Sequence, residues 1–284
     1  MDEQLIATFC DVDDFCKEFE AFWYGWSKEL GLRCRIRRDR LSLSELMTIA
    51  IMFHFSQIRT FKAYYFMIVS EKWRSYFPKI PSYQRVVLLL QDVALPLQAF
   101  LMSRNTTPSD EAYMDSTYLE VCHFNRRNRN RVFKVLATTG KTSTCWFYGM
   151  KLHIIVNKYG ELLSHRITTG AVDDRTPVLG MTKGLSGLLI GDKGYISDDL
   201  EFTLANDGIK LVTRVKDNMC FKRVLSDSEK DSLRKRGFIE TINDQLKNVL
   251  HIAHTRYRSV RAFFVNVLAG LAAYTLKPDK PSLA

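Results

Sequence analysis

The stretch LSGLLIGDKGYIS, Leu185 to Ser197, sets an aspartate directly behind an apolar run and ahead of a lysine, a glycine and a tyrosine. The apolar run predicts a buried strand over 185–192 that ends on Asp192. In open α/β sheets the ligand crevice lies beyond the carboxyl ends of the strands. We therefore predict that Asp192 lies in a functional site and that Gly194 lets backbone or substrate approach closely. The alternative is an ordinary exit from a strand into a turn.

The elements on either side of this stretch define the fold. Strands are predicted at 111–123, 145–157, 161–170, 185–192 and 209–215, and helices at 176–182, 198–207 and from about 238 to 275. Three consecutive strands, then two strands joined through a helix, then a helix is the element order of an RNase H-like domain. We predict an α/β RNase H-like domain, with a mixed five-stranded sheet flanked by helices.

The first 105 residues show helical periodicity almost throughout. Apolar residues recur at three- and four-residue steps in LSLSELMTIAIMFHFSQ, after a cap at Ser42 or Ser44. Further helices are predicted at 10–30, at 60–70 and from Ser82 through SYQRVVLLLQDVALPLQAFL. The polar, proline-containing segment 104–110 marks a boundary. The sequence predicts an all-α N-terminal domain over 1–105 and the RNase H-like domain over 110–284.

Three acidic residues occupy matching positions on these elements. Asp115 lies in the middle of the first strand, Asp192 ends the fourth, and Glu240 opens the C-terminal helix. The first and fourth strands are neighbours in the RNase H arrangement, which places Asp115 beside Asp192. Such a group suits two Mg²⁺ ions about 3.5 to 4 Å apart, which activate an attacking oxygen and stabilise a leaving one in phosphoryl transfer. We predict all three as catalytic residues and metal ligands.

Each acid also has an ordinary interpretation. A glutamate in a first helical turn, such as Glu240, is favoured by the helix dipole alone. An unpaired carboxylate inside an apolar strand is costly, which makes Asp115 the hardest to explain structurally. Asp173 and Asp174 could compete for the metal, but they are interpreted as loop or cap residues ahead of a helix. The strand histidines His153 and His165 are interpreted as structural.

The charge distribution indicates a polyanionic partner. The formal net charge is +10; residues 1–110 carry 14 Lys and Arg against 13 acids, and residues 111–284 carry 27 against 18. A positive field of this kind favours nucleic acid. The predicted DNA contacts are Arg126, Arg127, Arg129, Arg131 and Lys134 in HFNRRNRNRVFK, together with Lys193, Arg236, Lys247, Arg256 and Arg258. For the first group, a solvated charged loop is the alternative.

A second basic cluster lies in the helical half. LRCRIRRDR holds Arg33, Arg35, Arg37, Arg38 and Arg40. It suggests an N-terminal module that recognises DNA, with the helix from Ser82 as the reader of a helix-turn-helix. A plain helical bundle is the alternative.

Several classes of protein are disfavoured by composition. The six cysteines form no CxxC pair and no regular metal-type spacing, so neither a disulfide framework nor a zinc site is expected. The acidic N-terminus MDEQLIATFCDVDD does not resemble a signal peptide. The longest uncharged run, 262–276, is 15 residues, which suits a buried helix better than a bilayer crossing. We expect a protein of a reducing compartment with no membrane partner.

Several motifs in the same order resemble the DDE transposases of bacterial insertion sequences, most closely the insertion sequence 982 family. They are MDST, WFYGMKLH, TGAVDDRTPV, IGDKGYIS and the region from RKRGFIETINDQ to VNVLAGLAAY, and they cover most of 110–275; PSYQRVVLL in the N-terminal half is also similar. The resemblance implies a catalytic triad of Asp115, Asp192 and Glu240, separated by 77 and 48 residues. A related signature is matched by Arg236, Glu240 and Lys247, while Leu233 stands where tyrosine is expected.

The resemblance further implies an activity and its partners. A DNA transposase of this kind cleaves DNA at insertion-sequence ends in a metal-dependent reaction and transfers the freed 3′-OH into target DNA, using two Mg²⁺ ions for which Mn²⁺ can substitute. Its partners are terminal inverted repeats, target DNA and further copies of itself, and its place is the bacterial cytoplasm, in association with the nucleoid. Two alternatives stay open: an RNase H-like nuclease or resolvase without strand transfer, and a DNA-binding derivative that has lost catalysis.

Overall fold

The computed structural model describes residues 1–29, 41–142, 145–214, 225–253 and 257–283. The arginine cluster at 33–40 and the predicted DNA contact Arg256 therefore lie outside the described residues. The chain divides into two compact units. The first comprises 1–104, 246–252 and 257–277, and the second comprises 105–245, 253–256 and 278–284.

The first unit is helical throughout its described residues, as the sequence predicts. Its helices are α1 (Asp2–Glu29), α2 (Leu43–Phe55), α3 (Phe61–Tyr64, continued by a π-helix Tyr65–Lys72), α4 (Tyr83–Leu90), α5 (Ala94–Met102) and α10 (Val260–Leu276). The single helix predicted from Ser82 is two helices, because the chain turns at Gln91–Val93. The last helix belongs to this unit, although the sequence boundaries group it with the C-terminal domain.

Local sequence signals account for the start of α2 and the burial of α10. Ser42 forms a capping box with Glu45: Glu45 N–H donates to Ser42 Oγ at 3.1 Å, and Ser42 N–H donates to Glu45 Oε2 at 2.6 Å. Helix α10 packs against α2 and α5. Gly270 of α10 faces Ile252 and His54 so closely that a β-carbon there would overlap the Ile252 side chain. The apolar run 262–276 is thus a core helix.

The second unit is built on a mixed sheet of six strands in the described part of the chain. They are β1 (Glu111–Cys122), β2 (Thr138–Lys141), β3 (Trp146–Asn157), β4 (Leu162–Thr169), β5 (Gly187–Gly191) and β6 (Ile209–Thr213). The spatial order β4-β3-β1-β5-β6, with β3 antiparallel to β1 and with β5 and β6 parallel to it, is that of an RNase H-like fold. The predicted fold is confirmed. The sequence missed β2, which pairs with the start of β3.

Helices cover both faces of this sheet. They are α6 (Val178–Met181), α7 (Asp198–Asn206), α8 (Asp227–Lys235) and α9 (Gly237–Asp244). Helices α6 and α7 bury the face that carries Ala112, Met114 and Ile155. On the opposite face Phe238 of α9 packs edge-on against Tyr113, with ring centroids 4.8 Å apart. The long helix predicted over 238–275 is wrong as a single element, because α9 passes into a π-helix at Gln245–Val249 and α10 begins only at Val260.

In the described residues no single helix is long and apolar enough to cross a membrane; the bent pair α4 and α5 meets the criterion by length and composition only.

Candidate active site

Strand register places Asp115 and Asp192 side by side. Strands β1 and β5 pair in parallel, with Tyr113 opposite Ile190. Two residues further along the chain are Asp115, within β1, and Asp192, which follows the end of β5 in an extended conformation. An even step along a strand returns the side chain to the same face, so both carboxylates lie on the face that α9 covers. The edge is the carboxyl end of β5, where the sequence predicts the site.

Helices α8 and α9 bring the third acid to this face. Ser232 Oγ of α8 donates a hydrogen bond to Glu111 Oε1 at 2.8 Å, and Lys210 Nζ of β6 lies 2.6 Å from Glu229 Oε1 of α8. These contacts fix α8 against the sheet, so that the junction residue Arg236 and the first turn of α9 reach the strand ends. Glu240 lies in that turn. The structure therefore brings the three predicted acids to one edge of the sheet.

The three carboxylates surround one guanidinium. Arg236 Nη2 lies 2.9 Å from Glu240 Oε1 and 3.9 Å from Asp192 Oδ1, and Nη1 lies 4.0 Å from Asp115 Oδ1. The Arg236 side chain is only 14% exposed. Its Nη1 is buried and makes no hydrogen bond to any described residue. Arg236 therefore supplies the positive charge that holds three like charges together.

Burial and like charge act on Asp115. Burial raises the pKa of the Asp115 carboxyl to about 6, against the lowering effect of the Arg236 charge and of a hydrogen bond from the Ser116 backbone. The neighbouring charges of Glu240 and Asp192 raise the pKa further. Asn243 of α9 donates from Nδ2 to Asp115 Oδ2 at 2.8 Å. The Asp115 carboxylate thus has one fixed donor on α9, and the sequence predicts no such role for Asn243.

Asp192 is held in a more open setting. It caps the short 3₁₀-helix Lys193–Tyr195, and its Oδ1 accepts a hydrogen bond from Lys193 N–H at 2.7 Å. Gly191 just before it packs against Met114, where a β-carbon would overlap the Met114 side chain. A β-carbon at Gly194 would meet no protein atom within 4 Å. No neighbouring protein atom therefore crowds the backbone at Gly194, and the close approach of a substrate there stays a prediction.

The donor set fits a hard divalent cation. Carboxylate oxygens are the ligands that Mg²⁺ and Mn²⁺ take in proteins. In the described parts of the chain no group of three His, Cys, Asp or Glu side chains is already close enough to hold a metal ion. The three acids instead face Arg236 and are spaced around it. A cation that replaces this charge would satisfy the same three carboxylates.

A buried polar cluster lies behind Asp115, on the other face of the sheet. Lys151 Nζ lies 2.9 Å from Asp174 Oδ1 and donates to the Val172 carbonyl at 2.9 Å. His153 is buried, its Nε2 is 2.8 Å from Thr168 Oγ1, and burial lowers its pKa to about 4. Asp174 is therefore engaged by Lys151 rather than collected with the three acids. The interpretation of Asp174 as a loop residue and of His153 as a structural histidine agrees with these contacts.

The predicted DNA contacts fall into separate groups. The side chains of Arg126, Arg129, Arg131 and Lys134 are exposed, while Arg127 is partly buried with its guanidinium 4.2 Å from the Phe124 ring centroid. Lys193 is partly buried and follows Asp192 directly. Lys247 and Arg258 belong to the first unit. The helix that carries Glu240 ends at Asp244, and Lys247 lies in the π-helix that follows it.

Comparison with known proteins identifies a family match. The family model described as "Transposase DDE domain" matches residues 105–260, which is more than half of the chain. No curated relative matches the sequence.

Two solved transposase structures are similar to the chain at low sequence identity. The chain is similar to piggyBac transposase in a synaptic complex with hairpin DNA, at 14% identity and a TM-score of 0.49, over 88% of this chain and 70% of that one. It is also similar to the Mos1 strand transfer complex, at 8% identity and a TM-score of 0.25, over 84% and 80% of the two chains.

Proposed function

The chain belongs to the transposase DDE domain family, and from that premise we propose that it is a DNA transposase of a bacterial insertion sequence, of the insertion sequence 982 family. It acts on DNA by phosphoryl transfer, cleaving at the ends of the element and joining each freed 3′-OH to target DNA. The observation that carries this proposal is the convergence of Asp115, Asp192 and Glu240 on Arg236 at the carboxyl edge of the sheet.

Each acid has a role in this proposal. Asp115, Asp192 and Glu240 would hold two divalent ions, Mg²⁺ or Mn²⁺. When bound, such ions activate the attacking oxygen and stabilise the leaving oxygen of an in-line displacement. Asn243 fixes the orientation of the Asp115 carboxylate through its 2.8 Å hydrogen bond. Arg236 holds Glu240 in place, and its planar fork of donors suits a phosphate of bound DNA.

Each of the two chemical steps exchanges one bond to phosphorus for another, so neither step needs an external energy source. In the first, water attacks the phosphorus at the element end, the bond to the 3′-oxygen breaks, and that oxygen leaves as a 3′-hydroxyl. In the second, this 3′-hydroxyl attacks a target phosphodiester, and the displaced 3′-oxygen of the target takes up the proton. One bond to phosphorus forms and one breaks in each step, so the same acids serve both.

DNA binding is assigned to three regions. The basic run from His123 to Lys134 follows β1 directly and neutralises phosphates near the cleavage site, together with Lys193. Lys247, Arg256 and Arg258 extend the contact. The domain over 1–105 recognises the terminal inverted repeat, and the domain over 110–284 carries the catalytic residues.

Assembly and location follow from the proposed reaction. Two element ends must be joined to one target, so we propose that copies of this chain assemble on DNA. The substrate places the protein in the bacterial cytoplasm, at the nucleoid.

An end-cleavage assay tests the proposal. A labelled duplex that carries the inverted repeat from DNA flanking the reading frame is incubated with the protein, Mg²⁺ and a supercoiled target. A transposase yields both nicked ends and labelled target. Nicked ends without joined product identify a nuclease or resolvase, and binding without any cleavage identifies a derivative that has lost catalysis; either result overturns the proposal.

A further inference from the structure

Strands β1 and β3 run well past the active-site edge of the sheet. Strand β5 ends at Gly191, which lies beside Met114 of β1. From Asp115 to Cys122 the described neighbour of β1 in the sheet is β3 alone. The far end of β3 pairs with β2. We call this extension of β1 and β3, comprising 116–142 and 145–153, the arm; β4 pairs with β3 as far as Met150, and the basic run lies at the far end of the arm.

The arm carries a net positive charge: residues 116–142 and 145–153 contain seven Lys and Arg residues and one acid, Glu120. The sequence contains no aspartate or glutamate from Val121 to Gly160 and has eight Lys and Arg residues there. Five of these side chains are exposed: Arg126, Arg129, Arg131, Lys134 and Lys141. Such a surface matches a polyanion rather than another protein of mixed charge.

Trp146 stands out within this charged surface. Its side chain is 54% exposed, whereas the next residue on β3, Phe147, is fully buried and packs against the Tyr118 ring with centroids 5.2 Å apart. Lys141 lies directly opposite Trp146 on β2, with Nζ 5.4 Å from the indole centroid. The fold thus buries one aromatic side chain for its core and leaves the larger one in solvent beneath a lysine.

Strand periodicity places Trp146 on the same face of the sheet as the three acids. Ile154 of β3 is paired with Asp115 and shares its face. Trp146 lies eight residues before Ile154, an even number, so it points to that same face. At about 3.3 Å per residue, Trp146 is about 26 Å from the level of Asp115. This is the length of about eight nucleotides of one strand in a duplex, at about 3.4 Å each.

We propose that Trp146, with Lys141, is a stacking site for an unpaired base of the DNA held along the arm. The indole face stacks on the base, and Lys141 and the neighbouring arginines neutralise the phosphates on either side. A base inside a duplex has both faces covered by its neighbours, so the site selects frayed, tailed or single-stranded DNA. This inference rests on the proposed function for its DNA partner, but not on cleavage.

The test compares two DNA molecules in EDTA, where cleavage does not interfere. Anisotropy titrations use a duplex with a single-stranded tail and a fully paired duplex of equal total nucleotide number. Trp146→Ala is expected to weaken binding of the tailed DNA about tenfold. It should change binding of the paired duplex less than twofold. Trp146→Phe should keep most of the affinity, and Val135→Ala, a change at an apolar residue of the same arm that is 93% exposed, should have no effect.

Fluorescence gives a second readout that does not depend on affinity. The chain has four tryptophans, Trp23, Trp26, Trp73 and Trp146, so the signal of Trp146 is taken as the difference between wild type and Trp146→Phe. This difference signal should be quenched when tailed DNA binds.

Three outcomes overturn the inference. The first is that Trp146→Ala weakens binding of both DNA molecules equally, and the second is that it weakens binding of neither. The third is that Trp146→Ala reduces self-association in light scattering and leaves DNA binding intact, which would assign Trp146 to contact with a second copy. If instead no DNA is ever cleaved but the tailed DNA is selected through Trp146, the proposed function fails and this inference stands.

Discussion

Arg236 Nη2 lies 2.9 Å from Glu240 Oε1, and the same guanidinium lies within 4.0 Å of Asp115 and Asp192. One arginine therefore lies among the three acids that would hold the divalent ions in the proposed reaction. The Asp115 and Arg236 side chains are mostly buried, whereas Glu240 is 63% exposed. The contact with Glu240 is accordingly weak by itself, and the guanidinium matters chiefly as a partner for the buried Asp115.

Replacing Arg236 by glutamine should destabilise the metal-free protein. It leaves the buried Asp115 beside two like charges, at a cost of about 1–3 kcal/mol. Melting in EDTA should show the loss, and Mg²⁺ or Mn²⁺ should restore more stability to Arg236→Gln than to the wild type, since a cation replaces the missing charge. Arg234→Gln, an exposed change two residues away on α8, is the matched control. Equal melting temperatures for wild type and Arg236→Gln in EDTA would show that the guanidinium does not stabilise the three carboxylates.

The raised pKa of Asp115 predicts a pH-dependent effect of Asp115→Asn on stability. Between the unfolded pKa of 3.8 and the folded pKa of about 6, the folded protein binds the proton more tightly than the unfolded chain does. The contribution of this group to stability is therefore present at low pH and is lost as pH rises through about 6. Asparagine does not ionise, so Asp115→Asn should not show this loss. The free energy of unfolding of the variant minus that of wild type should therefore increase by up to about 3 kcal/mol between pH 4 and pH 7.5. Urea unfolding in EDTA at both pH values measures this difference. A difference that decreases as pH rises would contradict the prediction.

Asn243→Ala should slow cleavage without abolishing DNA binding. The change removes the donor to Asp115 Oδ2, so the carboxylate loses its orientation and its pKa rises further. We expect a cleavage rate about 10- to 100-fold lower at pH 7, a range typical of losing a group that positions a metal ligand. The loss should be smaller at pH 8.5, where Asp115 is ionised regardless. Thr241→Ala, an exposed change on the same helix, controls for helix stability. A pH-independent loss would assign Asn243 a purely structural role.

Neutralising the exposed part of the basic run should reduce the salt dependence of DNA binding. Each phosphate contact contributes about 0.9 to the slope of log K against log salt on duplex DNA. Replacing Arg126, Arg129, Arg131 and Lys134 together by glutamine should lower that slope by up to about 3.6. Lys230→Gln, an exposed change on α8, should leave the slope unchanged. An unaltered slope in the fourfold variant would identify the run as a solvated loop without DNA contact.

The fold and the position of the acids are largely readable from the sequence. Alternating and apolar runs mark the long strands, and their order alone makes Asp115 and Asp192 neighbours. Strand β2, with the sequence TTGK, has no apolar residue to mark it and forms only because β3 offers an edge. The sequence also gives no signal for the break in the predicted C-terminal helix, because Gln245–Val249 contains no proline or glycine.

The contacts inside the site are less predictable. The four-residue step between Arg236 and Glu240 signals an ion pair on one helix face, but Arg236 stands at a junction of two helices. Its approach to Asp115 and Asp192 depends on how α8 packs against the sheet. Asn243 meets Asp115 across 128 residues of sequence, and Lys151 meets Asp174 across 23. Only packing in three dimensions brings such pairs together.

The most direct test of the central claim is single-turnover cleavage of an element-end duplex by Asp115→Asn, Asp192→Asn and Glu240→Gln. Asp207→Asn, an exposed change at the end of α7, is the control. The account predicts that each triad variant binds the duplex normally and cleaves it at least about 1000-fold more slowly, and that combining two changes adds little because the acids act as one unit. Cleavage within tenfold of wild type by any one of the three, at normal DNA occupancy, would contradict it.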